Sequence, residues 1–347
     1  MVKPSETWRI GVIIVSFGNE EDIAKLALQV NRQLKTGDKL LVVDNKPGAN
    51  LRNYFLARGD KTSEINVVPH ANGGFGAGAN FGAKLIIDDI DLLLIVNPDM
   101  QVKQKNFIST IRAGAGKFDC FGPIIIDSET KLVQSASLPL HVSGLSYSGF
   151  FGTTADDPRL QDDFETTGIN GGCFAIKKEW WEKTGGFNEK FFMYYEDREL
   201  STRLKMLGAK LGILAGAQIL HNYEYAKSDY KWEFLELNRL RAMLIAWPTK
   251  LLVVSFLVNI VLNFMIFVQY VSNKKGLLKL KADLRFLHDI PWCLRMRKAL
   301  KAQVKVKSSD FLGLLDAQFN STQEPFLQRP FVDKCFKVYY RILKAVC

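Results

Sequence analysis

At 347 residues, with 47% hydrophobic and 24% charged side chains, the chain is a globular protein of one large domain with an appendage, or of two domains, and not a disordered one. Its net charge is +10, and residues 273–347 hold sixteen Lys and Arg against six Asp and Glu, which is the whole excess. The five cysteines (Cys120, Cys173, Cys293, Cys335 and Cys347) are odd in number, widely spaced and form no C-x-x-C pair, which argues against a disulfide framework or a structural zinc and for a reducing compartment.

The N-terminus, MVKPSETWRIGVIIV, lacks a signal-peptide layout, because its apolar run is short and continues into a strand. Arg9 to Ser16 is a nearly unbroken β-branched run, as expected of a strand buried on both faces. Glu20 to Leu34 follows with Ile23, Leu26, Ala27, Val30 and Leu34 on one helical stripe. Lys39 to Asp44, Ile65 to Pro69 and Leu92 to Val96 predict three further strands with helical stretches between them. Residues 117–127 predict a fifth, and Lys210 to Leu220 another. This alternation predicts an α/β fold, a mostly parallel, doubly wound sheet flanked by helices. Ligands in such sheets bind beyond the carboxyl ends of the strands. Ser16, Asp44, the Gly-rich stretch after Pro69, Asp99 and His221 all fall there.

The Gly-rich stretch, Asn72 to Gly82, permits tight backbone and close approach to a ligand. Gly74, Gly76 and Ala79 satisfy a loose G-x-G-x-x-A dinucleotide pattern. Its position after the third strand, with an acidic first turn (FGNEED), argues against a nicotinamide cofactor. Asp44 and Asp99 each have a turn-capping reading. Beside the Gly-rich loop they have another: one acid takes the donor groups of a nucleobase or ribose, and the other holds a cation that a diphosphate needs. Residues 131–167 are polar and Gly- and Ser-rich, and predict a hairpin-and-loop flap on the acceptor side.

The chain is organised around Asn170 to Lys205. A short apolar strand leads into a Trp-rich helix and a Gly-Gly-Phe turn. The aromatic run from Phe191 to Tyr195 then ends at Glu196 and Asp197. Two readings stand at this point. Apolar surroundings raise a carboxylate's pKa and make it a better proton acceptor. Alternatively the pair opens a helix, where the macrodipole favours acids and Arg198 and Arg203 neutralise them.

With these residues in place, the chain resembles inverting family 2 glycosyltransferases of the GT-A fold. It is most similar to the bacterial rhamnosyltransferase-like branch of O-antigen, capsule and cell-wall polysaccharide synthesis. The matching blocks, in order, are VIIVSFGNEE, LLVVDNKPGANL, NGGFGAGANFG, LLLIVNPDM, GGCFAIKKEWWEKTGGFNEKFFMYYEDREL and HNYEYAKS. The resemblance implies a catalytic domain over residues 1–230; residues 231–347, apolar and then basic, are expected to form a helical membrane-associating region. It implies that Asp44 contacts the nucleobase, with Ser16, Asn72, Gly73, Gly74, Asn80 and Asn97 on the nucleotide sugar. Asp99 is then the metal-binding acid of an Asp-X-Asp motif whose first position here is Asn97, and His221 completes the contacts to Mg²⁺ or Mn²⁺. Asp197 is the general base and Glu196 orients it or the acceptor. The donor is a nucleoside diphosphate sugar, dTDP-rhamnose or a UDP-hexose, and the acceptor a lipid-linked saccharide. A non-catalytic partner of a polysaccharide assembly complex and a nucleotide-dependent oxidoreductase are the competing readings.

Leu251 to Val271 carry no charge, a length that permits a membrane span. Ser255, Asn259 and Asn263 recur every four residues, however, and a single crossing would export the basic tail against the positive-inside tendency. The expectation is a helix lying in the cytoplasmic leaflet of the bacterial inner membrane, with the tail on anionic headgroups. No zinc spacing or RNA-binding aromatic signature supports a nucleic-acid partner. Asn320-Ser321-Thr322 fits a glycosylation pattern that a cytoplasmic location makes a chance match.

Overall fold

The computed structural model describes residues 7–46, 51–57, 65–222, 229–304, 306–320 and 329–347. Residues 223–228 of the HNYEYAKS block, residues 47–50 of the LLVVDNKPGANL block and Ser321-Thr322 lie outside the described residues.

The first half alternates as its hydrophobic pattern dictates. It runs β1 (Ile10–Ser16), α1 (Glu20–Asn31), β2 (Lys39–Asp44), α2 (Leu51–Ala57), β3 (Asn66–Pro69), α3 (Phe75–Ile86), β4 (Leu92–Val96), β5 (Met100–Gln101), α4 (Phe107–Gly114) and β6 (Cys120–Asp127). Every residue of β1, β4 and β6 is buried. Then follow β7 (Val133–Ser135), β8 (Leu140–His141), β9 (Phe164–Glu165), β10 (Cys173–Lys177), α5 (Lys178–Thr184), α6 (Glu196–Met206) and β11 (Leu211–His221). The C-terminal part holds α7 (Tyr230–Ala246), α8 (Thr249–Val254), α9 (Phe256–Ser272), α10 (Gly276–Gln303), α11 (Ser308–Leu312), β12 (Leu315–Asp316) and α12 (Pro330–Val346).

Among the described residues the main sheet has the order β3-β2-β1-β4-β10-β6-β11-β5. β1, β2, β3 and β4 pair in parallel, as do β6 and β11. β10 enters antiparallel between β4 and β6. The sheet is therefore mixed, and the start of β10 lies beside the carboxyl end of β4: Cys173 is opposite Val96. One apolar core joins the sheet to α1 and α4, and a second joins its other face to α3, α5 and α6.

The polar stretch 131–167 is not a solvated flap. Val133, Ala136, Leu140, Val142 and Tyr147 are buried, because β7 pairs with β6 and β8 pairs with β12. The Tyr147 hydroxyl donates to Asp316 Oδ2 at 2.7 Å. A third apolar cluster joins this stretch to α9, α11 and α12, and a fourth joins Phe191 and Tyr195 to α7 and α10. The C-terminal helices thus pack directly behind the carboxylate pair.

The apolar run 251–271 is divided at Ser255, where ψ opens to −7°. No helix among the described residues is long and apolar enough to cross a membrane. The polar stripe faces the protein: Ser255 is fully buried, and Asn263 Oδ1 accepts from Lys279 Nζ at 2.8 Å. The outer face of α9 is consequently apolar along its length, with Phe256, Leu257, Ile260, Val261, Phe264 and Val268 exposed.

Candidate active site

The carboxyl ends of β1, β2 and β3 lie in register, with Ser16 beside Asp44 and Asp44 beside Pro69. Ser16 and Asp44 are both buried, and their side chains meet at 3.3 Å. Asp44 Oδ1 also accepts from the Lys46 backbone N–H at 3.0 Å. The next residue, Asn45, was not singled out from the sequence. Its amide donates to Gly74 O at 3.0 Å and its carbonyl meets His70 Nδ1 at 2.9 Å, so it fastens the Gly-rich loop to the end of β2.

Within that loop the predicted residues have local tasks. Asn72 Oδ1 accepts from Gly74 N–H at 3.1 Å. Gly73 sits against Ala77, leaving a Cβ only 2.8 Å from that methyl group. Gly74 has φ +95°, and a Cβ there would lie 2.0 Å from Phe192 O. The first amide of α3, Phe75 N–H, donates to the same carbonyl at 3.0 Å, so it is spent on the loop before Glu196 and not offered to a phosphate. Asn80 is engaged in the Gly-Gly-Phe turn. Its amide donates to Phe187 O at 2.9 Å and Glu189 Oε1 at 3.0 Å, and its carbonyl accepts from Phe187 N–H at 2.9 Å.

At the end of β4, Asn97 N–H donates to Gly172 O at 2.7 Å. Two residues on, Asp99 Oδ1 lies 3.2 Å from His221 Nε2, because β11 brings its last residue opposite Met100. His221 Nδ1 donates to Gln134 Oε1, which fixes the tautomer and turns Nε2 toward Asp99. Gln134, on β7, was another residue missed from the sequence. A carboxylate oxygen and an imidazole nitrogen side by side are a donor pair that suits a divalent cation. Among the described residues no group of three or more His, Cys, Asp or Glu forms a metal cage. A cation here would have two protein ligands and would need diphosphate oxygens or water to complete its shell.

The carboxylate pair opens α6, at a helix N-terminus reached through the buried aromatics Phe191 and Tyr195. Asp197 Oδ2 accepts from Gly171 N–H and Oδ1 from Arg198 N–H, each at 2.7 Å. Glu196 is 8% exposed and its Oε2 has no hydrogen-bond partner among the described residues. Burial, then the neighbouring charge of Asp197, pushes its carboxyl up to about 8. Burial also raises Asp197, but the two backbone N–H groups and the Arg198 guanidinium oppose it there. The two backbone N–H groups favour the charged form at Asp197, a support that Glu196 Oε2 lacks among the described residues. The arginines do not neutralise the pair by direct contact. Arg203 pairs with Glu199 at 2.8 Å, and Arg198 donates to Leu138 O and Thr167 O, each at 2.6 Å.

The chain reaches Glu196 in a conformation its residues disfavour. Phe192, Tyr194 and Tyr195 have φ of 56°, 63° and 74°. Non-glycine residues held there cost about 1–3 kcal/mol each and persist only where the surroundings impose them. A short path, Asn97–Gly172–Gly171–Asp197, joins the turn that bears Asp99 to Asp197 in two hydrogen bonds and one peptide.

The chain is similar to several known proteins. A family model described as the N-terminal domain of galactosyltransferase matches residues 153–227. A low-salt glycan biosynthesis hexosyltransferase of Haloferax volcanii is 24% identical over 61% of this chain and 67% of its own length. The rhamnosyltransferase WbbL of Escherichia coli K12 is 23% identical over 64% of this chain and 88% of its own. The crystal structure of GalNAc-T7 with UDP, GalNAc and Mn²⁺ shares the fold at a TM-score of 0.54 and 17% identity, over 69% of this chain and about half (49%) of that one. The fold is that of GT-A glycosyltransferases, and the chain's sequence relatives include a hexosyltransferase and rhamnosyltransferases.

Proposed function

We propose that the protein transfers a hexosyl or rhamnosyl group, with inversion, from a nucleoside diphosphate donor to a hydroxyl of a lipid-linked saccharide. The observation that carries this reading is the Asn97–Gly172–Gly171–Asp197 path, which sets the carboxyl group of Asp197 beside the turn that bears Asp99. Inverting transfer needs one base on the face opposite the leaving diphosphate, and no protein nucleophile. Asp197 takes the proton of the acceptor hydroxyl as its oxygen attacks the anomeric carbon. Glu196, protonated, keeps a second negative charge out of the acceptor's path. Ser16 and Asp44 hold the nucleobase end of the donor. Asp99 and His221 would hold Mg²⁺ or Mn²⁺, which supplies charge neutralisation for the departing diphosphate. The relatives' names, a rhamnosyltransferase and a hexosyltransferase, support the sugar class.

Thermal stabilisation against a panel of nucleoside diphosphate sugars, each with and without Mg²⁺ or Mn²⁺, tests the donor. A ligand at 100 times its Kd stabilises the folded state by about 2.7 kcal/mol. A cation-dependent rise in Tm with one nucleobase is expected. A folded protein that responds to none would leave the non-catalytic partner as the better reading.

The membrane role rests on the outer face of α9, which is unbroken by charge, and on the exposed basic residues that follow it in the chain, Lys274, Lys281, Arg295 and Lys298. We infer that α9 lies in the headgroup layer of an anionic, cytoplasmic leaflet and brings the site to its lipid-linked acceptor. Val261→Asp with Phe264→Asp in the full chain is expected to weaken binding to phosphatidylglycerol vesicles by about tenfold or more, at unchanged Tm. Undiminished vesicle binding would move the contact off α9.

A further inference from the structure

Behind the carboxylate pair, one side chain of α7 gathers the carbonyls of the strained loop. Asn238 is fully buried. Its Nδ2 lies 2.7 Å from Phe191 O, 3.1 Å from Met193 O and 2.7 Å from Tyr194 O. A primary amide has two hydrogens, so three carbonyls share them, and all three must turn inward toward one point. That requirement suits a chain reversing direction with positive φ at Phe192, Tyr194 and Tyr195, and suits no ordinary strand or helix.

Asn238 is itself held. Its Oδ1 accepts from Arg241 Nη1 at 2.9 Å, which fixes the amide's orientation, and the same Nη1 donates to Lys190 O at 2.8 Å. Arg241 pairs with Asp289 of α10, and Lys190 Nζ reaches that carboxylate at 2.7 Å. The loop is thus gripped at its start through Arg241 and along its length through Asn238. On its other side Phe192 O takes the amide of Phe75.

We propose that Asn238 is a positioning residue for transfer, aiming the Glu196–Asp197 pair through the carbonyls of the 191–194 loop, with Arg241 and Asp289 as its support. The proposal rests on the reading of Asp197 as the base. Relaxing any positive φ in this loop rotates the backbone immediately before α6. That swings Asp197 away from Gly171 N–H, the contact that ties it to the metal-side turn. Buried polar side chains are often retained for packing alone; a packing role would lower stability without separating turnover from donor binding.

The test uses the full chain and Asn238→Asp, which keeps the shape but replaces the donor with an acceptor facing three carbonyls. A displacement of about 1 Å at a reacting group costs about 100-fold. The expected result is kcat lowered about 100-fold with donor KM within about twofold, and faster amide hydrogen exchange in residues 191–197 but not in β1 or β4. Asn238→Ser, which retains one donor, should fall between the two and serves if the aspartate variant does not fold. Unchanged kcat in a variant of an active parent overturns the positioning role, as does unchanged exchange in the loop. A parent with no turnover on any donor overturns the transferase reading first, and the positioning role with it.

Discussion

Asp197→Asn is expected to lower kcat by about 10²–10⁴-fold, the usual contribution of a general base, while donor binding persists. The substitution is nearly isosteric. The carboxamide oxygen it introduces can still accept from one of the two backbone N–H groups that bind the carboxylate, those of Gly171 and Arg198. What is lost is the charge that accepts the acceptor's proton. Donor binding, read by the nucleotide-induced rise in Tm, is proposed for Ser16, Asp44 and Asp99, which lie outside α6, and should change little. Transfer surviving within tenfold of the parent would remove Asp197 as the base.

Glu196→Gln separates the partner's role by its pH dependence. The folded-state pKa of Glu196 is raised, from 4.5 to about 8. The unfolded chain therefore loses this proton first, and the contribution of the neutral, buried carboxyl to stability declines as pH rises from about 5 to about 8. Glutamine stays neutral throughout. The Tm of Glu196→Gln should gain on the parent across that interval and keep a constant lead above it. A difference independent of pH would mean that Glu196 ionises normally in the fold.

The sheet was readable because short continuous apolar runs such as Leu92–Val96 mark strands buried on both faces. Direction was not readable: Cys173–Lys177 has the same composition whichever way it runs, and only its neighbours make it antiparallel. The run 251–271 had the right polar stripe with its direction undetermined. Asn263 turns inward because Lys279, sixteen residues on, needs a partner in a buried ion-pair network with Glu236 and Asp283. At the site, the acids and His221 announced themselves at strand ends. Asn45, Gln134 and Asn238 did not, since a lone amide in an ordinary segment carries no pattern. The positive φ values of the aromatic loop were likewise invisible, because local propensity opposes them and tertiary hydrogen bonds impose them.

Asp99→Asn and His221→Ala should each abolish the cation-dependent part of donor binding, about tenfold or more in Kd, and reduce transfer accordingly. Two protein ligands hold a divalent cation weakly without the diphosphate, so metal and donor are expected to bind together and to raise each other's affinity by the same factor. Asn97 in place of an acid leaves one carboxylate at this turn, which keeps the metal-free site from carrying excess charge and makes the diphosphate a necessary ligand. The imidazole tips the choice of metal. Carboxylate and water suit Mg²⁺ and Mn²⁺ alike, whereas nitrogen ligands favour the transition ion. Mn²⁺ should therefore support donor binding at lower concentration than Mg²⁺, and His221→Asn should narrow that gap more than Asp99→Asn does. Gln134→Ala gives the complementary result: with Nδ1 no longer committed to a fixed acceptor, cation affinity should fall about 10-fold although no ligand has been removed. Isothermal titration of the donor at several fixed metal concentrations reads all four variants. Donor affinity independent of metal in the parent would strip Asp99 and His221 of the role.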